Sequence, residues 1–407
     1  MNQIELFETL LKINKPWHIH DLDVDETRDV LTITVSTSET LFPCPFCNTM
    51  CPKYDTRPRQ WRHLDTMEFQ TYIKADLPRV RCSTHGIHQI HVPWAETLSR
   101  YTMKFECYVI DWLKEAPISA VAKLLGLSWN AIAGIMQRAV ERGLKRRKKK
   151  RPKHISIDET SFQRRHEYVT VITDQTTGEV LHIGDNRTKE TLAAYYKGIG
   201  ESRCRSIQSI SMDMWPAYIT TTEEYVENAY RKICFDKFHV AQYLGNAVDK
   251  VRRSEHKQLH ADDNDVLKGT KYYWLQNPEN MDKETEEKFQ VIRDSSLKTA
   301  SAYAIKEHAM CLWKFASRQW AVKQWTLWYN WACDSALTPV IKAAQTIGNN
   351  LWGIINAIIL QRSNAAAESM NSRIQRIKSR ARGFRNRVRF KNVIYFHCGN
   401  LELYPSC

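Results

Sequence analysis

The apolar positions first mark a short helix and then alternate with period two, as in "VLTITVS" (Val30–Ser36), which predicts strands. Alternation returns in "MEFQTYIKADLPRVRC" (Met67–Cys82), and residues 101–143 switch to helical spacing. After Pro152 period two resumes. "HISIDET" (His154–Thr160), "EYVTVITD" (Glu167–Asp174) and "EVLHIGDN" (Glu179–Asn186) read as three antiparallel strands. "TKETLAAYYKGI" (Thr188–Ile199) reads as a helix, and "SIQSISMDMW" (Ser206–Trp215) as a fourth strand ending at Asp213. Pro216 sits where a helix would start. "AYRKICFD" (Ala229–Asp236) reads as a fifth strand and "KFHVAQYLGNAVDKVRR" (Lys237–Arg253) as a helix. From about 255 to 350 the pattern is helical and rich in Trp. "LWGIINAIIL" (Leu351–Leu360) is too short to span a bilayer and fits a buried helix.

"KEAPISAVAKLLGLSWNAIAGIMQRAVERG" (Lys114–Gly143) has the punctuation of a helix-turn-helix. Pro117 can start one helix, Gly126 can end it, and Ser128 can cap the next. Ala120, Leu124, Leu127, Ile132 and Ile135 or Met136 have the spacing of an inter-helix core. The second helix then turns Asn130, Gln137, Arg138 and Arg142 outward, groups suited to bases and phosphates. A plain αα-hairpin would share the apolar spacing. Ahead of this segment stand two knuckles, Cys44 with Cys47 and Cys82 with His85. Two tight turns joined by strands can bring four soft ligands into a tetrahedron, as a structural Zn²⁺ requires. Cys51 and His88 are alternatives for the fourth position.

The chain has 407 residues, eleven cysteines and a formal net charge of +14, a balance that favours a polyanionic partner, nucleic acid first. The N-terminus carries acids and no long apolar core, so no secretory signal is read. Cysteines without such a signal point to reduced thiols and a cytoplasmic protein. "LKRRKKKRP" (Leu144–Pro152) reads as a solvated basic linker.

The order strand–strand–strand–helix–strand–helix–strand–helix resembles the α/β ribonuclease H fold, in which the first strand's middle and the fourth strand's end lie side by side. Here those places hold Asp158 and Asp213. Ile155 and Ile157 point one way, Ser156 and Asp158 the other, and Glu159 alternates away from Asp158. Two carboxylates say little in a chain with 45 acids. Metal-dependent phosphoryl transfer asks for more, because two Mg²⁺ ions about 4 Å apart clamp the attacking and leaving oxygens. Mg²⁺ prefers carboxylate oxygen and water, and Glu368 offers a third acid from a helix beside the first strand. Ser363–Lys391 holds nine Lys and Arg, and Glu368 is the one acid between Asp334 and Glu402. Ser363 or Asn364 can cap its helix. Ala366, Met370, Ile374 and Ile377 should face the core. Asn364, Glu368, Asn371 or Ser372, and Gln375 form a polar stripe, and Arg373, Arg376, Lys378 and Arg380 a cationic surface.

"SIDET", "SMDMWPAY", "CFDKFHVAQYLGNAVDKVRR", "RSNAAAESMNSRIQRIKSRARGFRN" and the tail "FKNVIYFHCGNLELYP" together resemble the DDE transposases of bacterial insertion sequences, nearest the zinc-finger-bearing IS-L-three family. The likeness spans nearly the whole chain. It implies that Asp158, Asp213 and Glu368 hold two Mg²⁺ (or Mn²⁺) ions, with Asp236 and His239 of "DKFH" as auxiliaries. It also implies binding to terminal inverted repeats, hydrolysis freeing a 3′ hydroxyl, and strand transfer into target DNA without ATP. Positioning and charge neutralisation are the protein's part in such chemistry. A homodimer or higher oligomer is expected, because two ends must be synapsed. The second knuckle, CxxH, departs from many relatives. The implied parts are a zinc-binding module (1–100), a helix-turn-helix with linker (101–153), a ribonuclease H-like domain (154–254 and 355–407) and an all-helical insertion (255–354). Most tryptophans of the insertion read as core, with one or two free to stack on bases. A catalytically silent DNA-binding regulator and a ribonuclease H-like nuclease are the competing readings.

Overall fold

The computed structural model describes residues 3–148, 150–163, 167–276, 280–295 and 297–406. Lys149 of the expected basic linker lies outside them. The chain forms two compact units, Met1–Arg147 with Tyr395–Cys407, and Lys148–Ile394. The segment 355–407, expected to be one piece, therefore divides after Ile394.

In the first unit, α1 (Gln3–Leu11) precedes β1 (Trp17–Asp25), β2 (Val30–Thr37), β3 (Leu41–Pro43), β4 (Met50–Arg62), β5 (Gln70–Cys82) and β6 (Gly86–Gln89). The sheet order is β1-β2-β5-β4-β3, with β6 on β5. Alternation along β5 buries Thr71, Ile73, Ala75 and Leu77, and the last three join Trp17, Ile33, Trp61 and Trp94 in one core. Three helices follow, α2 (Met103–Glu115), α3 (Ile118–Leu124) and α4 (Trp129–Arg146). Pro117 is the residue before α3, and Gly126 takes the left-handed φ of +62° that ends a helix without a Cβ penalty. Ser128 Oγ caps α4 by accepting from Ala131 N. The axes of α3 and α4 turn by 118°, within the helix-turn-helix range. Ile132, Ile135 and Met136 are buried as expected, but α3 buries Ile118, Val121 and Ala122 while Ala120 and Leu124 are exposed. Over only two turns the i, i+3, i+4 stripe from Ile118 sets the inward face, one position away from the expected one.

In the second unit, β7 (His154–Gln163), β8 (Glu167–Asp174) and β9 (Val180–Asp185) are antiparallel, as the alternation predicts. Next come α5 (Lys189–Ile199), α6 (Glu201–Ser206), β10 (Ser209–Met212), α7 (Pro216–Tyr225), α8 (Ala229–Lys232) and β11 (Ile233–Phe235). The expected fifth strand is shorter than "AYRKICFD", because its first four residues form α8. The sheet order is β11-β10-β7-β8-β9, with β7, β10 and β11 parallel.

The rest of this unit is helical: α9 (Lys237–Ala261), α10 (Lys271–Leu275), α11 (Lys283–Arg293), α12 (Lys298–Cys311), α13 (Arg318–Asp334), α14 (Thr338–Asn349), α15 (Leu351–Leu360), α16 (Ala365–Arg380) and the start of α17 (Arg387–Cys398). Trp274, Trp325 and Trp328 share one continuous core with Ile157, Met212 and Phe235 of the sheet, while Trp320 and Trp331 are exposed. Buried Glu255 of α9 accepts from Lys298 N and Thr299 N, both at 2.7 Å, so a carboxylate meets the positive end of α12. α15 packs flush on β11: a Cβ at Gly353 would lie 2.4 Å from the Phe235 ring. Among the described residues no single helix is long and apolar enough to cross a membrane.

Candidate functional site

Strand register assembles the acids. Ile157 pairs with Met212 and Met212 with Phe235. Asp158, Asp213 and Asp236 are each the next residue, so they form a row across three neighbouring strands about 4.8 Å apart. Helix α16 lies along β7 through side chains spaced one turn apart. Asn371 Nδ2 donates to Asp158 Oδ2 (2.9 Å) and to Glu159 O (3.2 Å), and Asn364 Nδ2 approaches Asp158 Oδ2 at 3.4 Å. Gln375 Nε2 donates to Thr160 Oγ1 (3.0 Å), and Lys378 Nζ to Ser161 O (2.8 Å). The polar stripe therefore runs through Asn371, not Ser372, and ends in Lys378, which the sequence reading placed on the outer surface. Asn364 holds the N-cap position without a side-chain cap bond, while Ser363 Oγ accepts from Ala365 N at 3.4 Å. The inward residues are Ala367, Met370 and Ile374, and the expected Ala366 and Ile377 are half-buried.

Glu368, one turn after Asn364, is exposed, and its carboxyl lies within hydrogen-bonding reach of Asp236. Asp236 is 5% exposed, and its Oδ2 has no hydrogen-bond partner among the described residues. His239 Nε2 contacts Asp213 Oδ1. Burial raises the Asp158 carboxyl to about 6; the Glu159 N–H bond opposes this and the charges of Asp213 and Asp236 add to it. Burial likewise pushes Glu159 to about 7, and burial and Asp236 raise Glu368. Burial opposes charge on His239, but Asp213, Asp236 and Asp158 outweigh it and raise its pKa. Crowded, partly desolvated carboxylates with an unpartnered oxygen are the electrostatics of a cation site. All-oxygen donors fit a hard divalent ion. Among the described residues these acids do not bring three ligand atoms within 4.8 Å of one another.

Two members of the cluster escaped the sequence reading. Glu159 does alternate away from Asp158, but toward Tyr218 and Arg187. Arg187, just after β9, has Nε 2.6 Å from Glu159 Oε1 and Nη2 3.5 Å from Asp213 Oδ2, and its guanidinium carbon sits 4.2 Å from the Trp215 ring centroid. The available signal was the doubled acid in "SIDETS", a second charge on a strand of apolar and hydroxyl residues.

In the first unit, Cys44 Sγ, Cys47 Sγ, Cys82 Sγ and a His85 ring nitrogen all lie within 4.8 Å of one another. Cys47 Sγ–Cys82 Sγ is 3.7 Å, Cys82 Sγ–His85 Nδ1 is 3.6 Å and Cys44 Sγ–His85 Nδ1 is 3.8 Å. A tetrahedron with Zn–S of about 2.3 Å and Zn–N of about 2.05 Å has edges of about 3.8 and 3.6 Å, so the residues fit a zinc ion. His85, not Cys51 or His88, is the fourth member of this cluster. Cys51 Sγ instead faces Thr49 O at 3.3 Å, and His88 contacts the His85 carbonyl. Backbone N–H groups of His85 and Thr84 pull the Cys82 thiol down to about 7, toward the thiolate that zinc takes.

On α4, Asn130 and Gln137 are exposed, and Gln137 Nε2 donates to Glu141. Arg142 is not outward. It is 8% exposed, forms a bidentate pair with Glu96 (2.8 and 2.6 Å), and lies 3.0 Å from Glu106 Oε2. Arg138 is half-buried and donates through Nε to Glu106 at 3.0 Å. Arg142 shares the helix face of Ile135 and Ala139, so a buried acid on α2 compensates its charge. The C-terminal residues pack on the same helix: Arg142 Nη1 donates to Leu403 O and Arg146 Nη1 to Tyr404 O, each at 2.5 Å. On α16, Arg373, Arg376 and Arg380 are exposed.

A zinc knuckle pair, a helix-turn-helix and an α/β unit with a row of acids on its parallel strands define a DNA-binding transposase. Family models agree, in the same order along the chain. Residues 40–85 match the zinc-finger of transposase IS204/IS1001/IS1096/IS1165, residues 90–140 the helix-turn-helix domain of transposase family ISL3, and residues 155–394 the ISL3 DDE transposase model. The chain belongs to the ISL3 family of DDE transposases. It is 24% identical to the transposase for insertion sequence element IS1001 of Bordetella parapertussis, over 88% of this chain and 89% of that one. It is 27% identical to the transposase for insertion sequence element IS1557 of Mycobacterium tuberculosis, over 95% of this chain and 93% of that one.

Proposed function

We propose that this transposase binds the terminal inverted repeats of an insertion sequence and that Asp158, Asp213 and Glu368, with Asp236 beside them, hold two Mg²⁺ or Mn²⁺ ions for strand cleavage and strand transfer. The observation that carries this reading is the register row of three acids joined at its edge by Glu368. The strand order, with the first three antiparallel and the first, fourth and fifth parallel, supports a ribonuclease H-like catalytic domain interrupted by the helical segment. Bound there, the ions would polarise the scissile phosphodiester and its attacking oxygen. The chain's own groups orient the acids: Asn364 and Asn371 hold Asp158, and His239 holds Asp213. Asn130 and Gln137 on α4 and Arg373, Arg376 and Arg380 on α16 face bases or phosphates of transposon-end and target DNA. Synapsis of two ends calls for a dimer or larger assembly at the nucleoid.

The test uses Asp158→Asn, Asp213→Asn and Glu368→Gln on a duplex carrying the element's terminal repeat. Cleavage and strand transfer should fall at least about 1,000-fold while end binding stays within about twofold, the pattern of a lost transition-state interaction. Cleavage that survives any of these changes refutes the assignment of that residue. Preference for an RNA–DNA hybrid over terminal repeats would favour the nuclease reading instead.

A further inference from the structure

We propose that Arg187 contacts a non-bridging oxygen of the scissile phosphodiester and that Glu159 is its positioning residue; this rests on the catalytic reading above. Arg187 leaves the sheet just beyond the end of β9, yet its guanidinium reaches the edge of Asp213, the middle acid of the row. Three contacts set its place. Nε pairs with Glu159 Oε1 at 2.6 Å, the plane lies over Trp215 at 4.2 Å, and Nη2 stands 3.5 Å from Asp213 Oδ2. The first is a close ion pair whose two atoms do not meet in hydrogen-bond geometry, and the second is a cation–π contact. The third exceeds hydrogen-bond length and is the contact a phosphate oxygen would replace. The side chain is 34% exposed, so one edge of the fork is open to a ligand.

Glu159 explains why the arginine can stay there. Its side chain is 10% exposed and lies beside Tyr218, whose hydroxyl lies 2.8 Å from Thr170 Oγ1. A carboxylate held this way keeps Arg187 extended and prevents it from folding onto Asp213. A planar fork reads phosphate in two bonds, which a lysine cannot do. The acids around it repel DNA, so one fixed cation at their border gives the scissile phosphate a local anchor.

The experiment compares wild type with Arg187→Ala, Arg187→Lys and Glu159→Gln, all full chain, on the terminal-repeat duplex. With Ca²⁺ in place of Mg²⁺, binding is measured by fluorescence anisotropy across salt. Arg187→Ala should lower the slope of log affinity against log salt by about one. With Mg²⁺, its kcat should fall about 100-fold at saturating DNA, and Arg187→Lys should restore less than a tenth of that loss. Glu159→Gln should reduce kcat about tenfold with KM for the duplex unchanged. The contrary role, a counter-ion that only balances Asp213, predicts an unaltered salt slope and full kcat at saturating Mg²⁺, with a lower Mg²⁺ requirement in Arg187→Ala. That result overturns the proposal. If Arg187→Ala unfolds, Arg187→Lys alone decides, because full kcat in it contradicts a two-bond contact. Asp213→Asn run alongside separates the two levels: if it cleaves normally, the catalytic reading falls and this inference with it; if it is dead while Arg187→Ala is normal, only this inference falls.

Discussion

Replacing Arg142 by Ala tests the difference between a buried structural arginine and a DNA contact. Arg142 is 8% exposed and Glu106 1%, and the two lie 3.0 Å apart. Removing the guanidinium leaves Glu106 with Ser99 Oγ at 2.9 Å and Arg138, and strips Leu403 O of its donor. Breaking a buried pair from one side costs about 3–5 kcal/mol when the remaining charge is left uncompensated, and Arg138, still paired with Glu106, holds the loss toward the lower end. The Glu96 pair adds little, because that carboxylate is 33% exposed and its charge is screened. For a unit of this size each kcal/mol moves the midpoint by about 2–4 °C, so Arg142→Ala should lower the melting temperature of the first unit by roughly 6–20 °C. Arg142→Met combined with Glu106→Gln should recover most of that loss, since a buried ion pair exchanged for apolar and neutral groups is often nearly neutral in stability. Calorimetry gives the stabilities. End binding by the double variant, measured below its transition, should keep the wild-type salt slope. An Arg142→Ala protein that melts like wild type while its salt slope drops by about one would refute the buried role and restore Arg142 to the DNA face.

Three further outcomes are expected. Metal analysis should find one zinc per chain, lost in Cys47→Ser or Cys82→Ser with unfolding of the first unit, and kept in His88→Ala and Cys51→Ala; zinc retained by Cys82→Ser would disprove the ligand set. Burial, aided by Lys104 and Arg62, holds the His63 ring down at about 4, beside Thr102 Oγ1 at 2.8 Å. A folded pKa below the unfolded 6.5 means stability is complete above pH 6.5 and is lost as pH falls toward 4, by an amount of order 3 kcal/mol. Urea titrations should show that loss shrinking in His63→Gln, and an unchanged pH profile would contradict it. Gly353→Ala would press a methyl to 2.4 Å from Phe235, so the unfolding free energy from urea titration should drop by about 1–3 kcal/mol; a neutral effect would mean that α15 and β11 separate easily.

Strong periodicity made most elements legible. Three antiparallel strands, the helix from Pro216 and the three helices around the turn at Gly126 all carry local signals that tertiary packing does not override. What failed was local ambiguity. In α3 seven residues cannot define an inward face, and "AYRKICFD" is helical in its first half because those residues leave the sheet before β11 begins. Asp158, Asp213 and Glu368 stood out through motif and helix context, and the zinc ligands through knuckle spacing. Asp236 was legible as a neighbour, but not as the partner of Glu368, since that contact joins residues 132 positions apart in sequence. Arg142 misled because an arginine on a recognition-like helix looks outward until Glu106, two helices earlier, is known to be buried. Arg187 and Glu159 meet only through the fold.

The stripe on α16 shows how an acid can be placed without being neutralised. Of its five positions, Asn364, Asn371, Gln375 and Lys378 reach β7, and Glu368 alone reaches past it to Asp236. The two residues that touch Asp158 are amides. An arginine at 371 would hold the helix as firmly, but it would bring a permanent charge to Asp158 and compete with any divalent cation there. An amide donates the same directed bond and leaves the carboxylate its negative charge. The cation that does belong to the stripe, Lys378, sits two turns beyond Asn371 and bonds a backbone carbonyl, away from the acids. The arginines lie on the opposite, exposed face. One helix therefore separates three tasks by angle and height: apolar residues seat it, neutral donors align it, and charge is kept to Glu368 at one end and to the exposed arginines along the outside. A second acid on that outer face would offset those arginines without reaching the row, which accounts for a single carboxylate in this stretch.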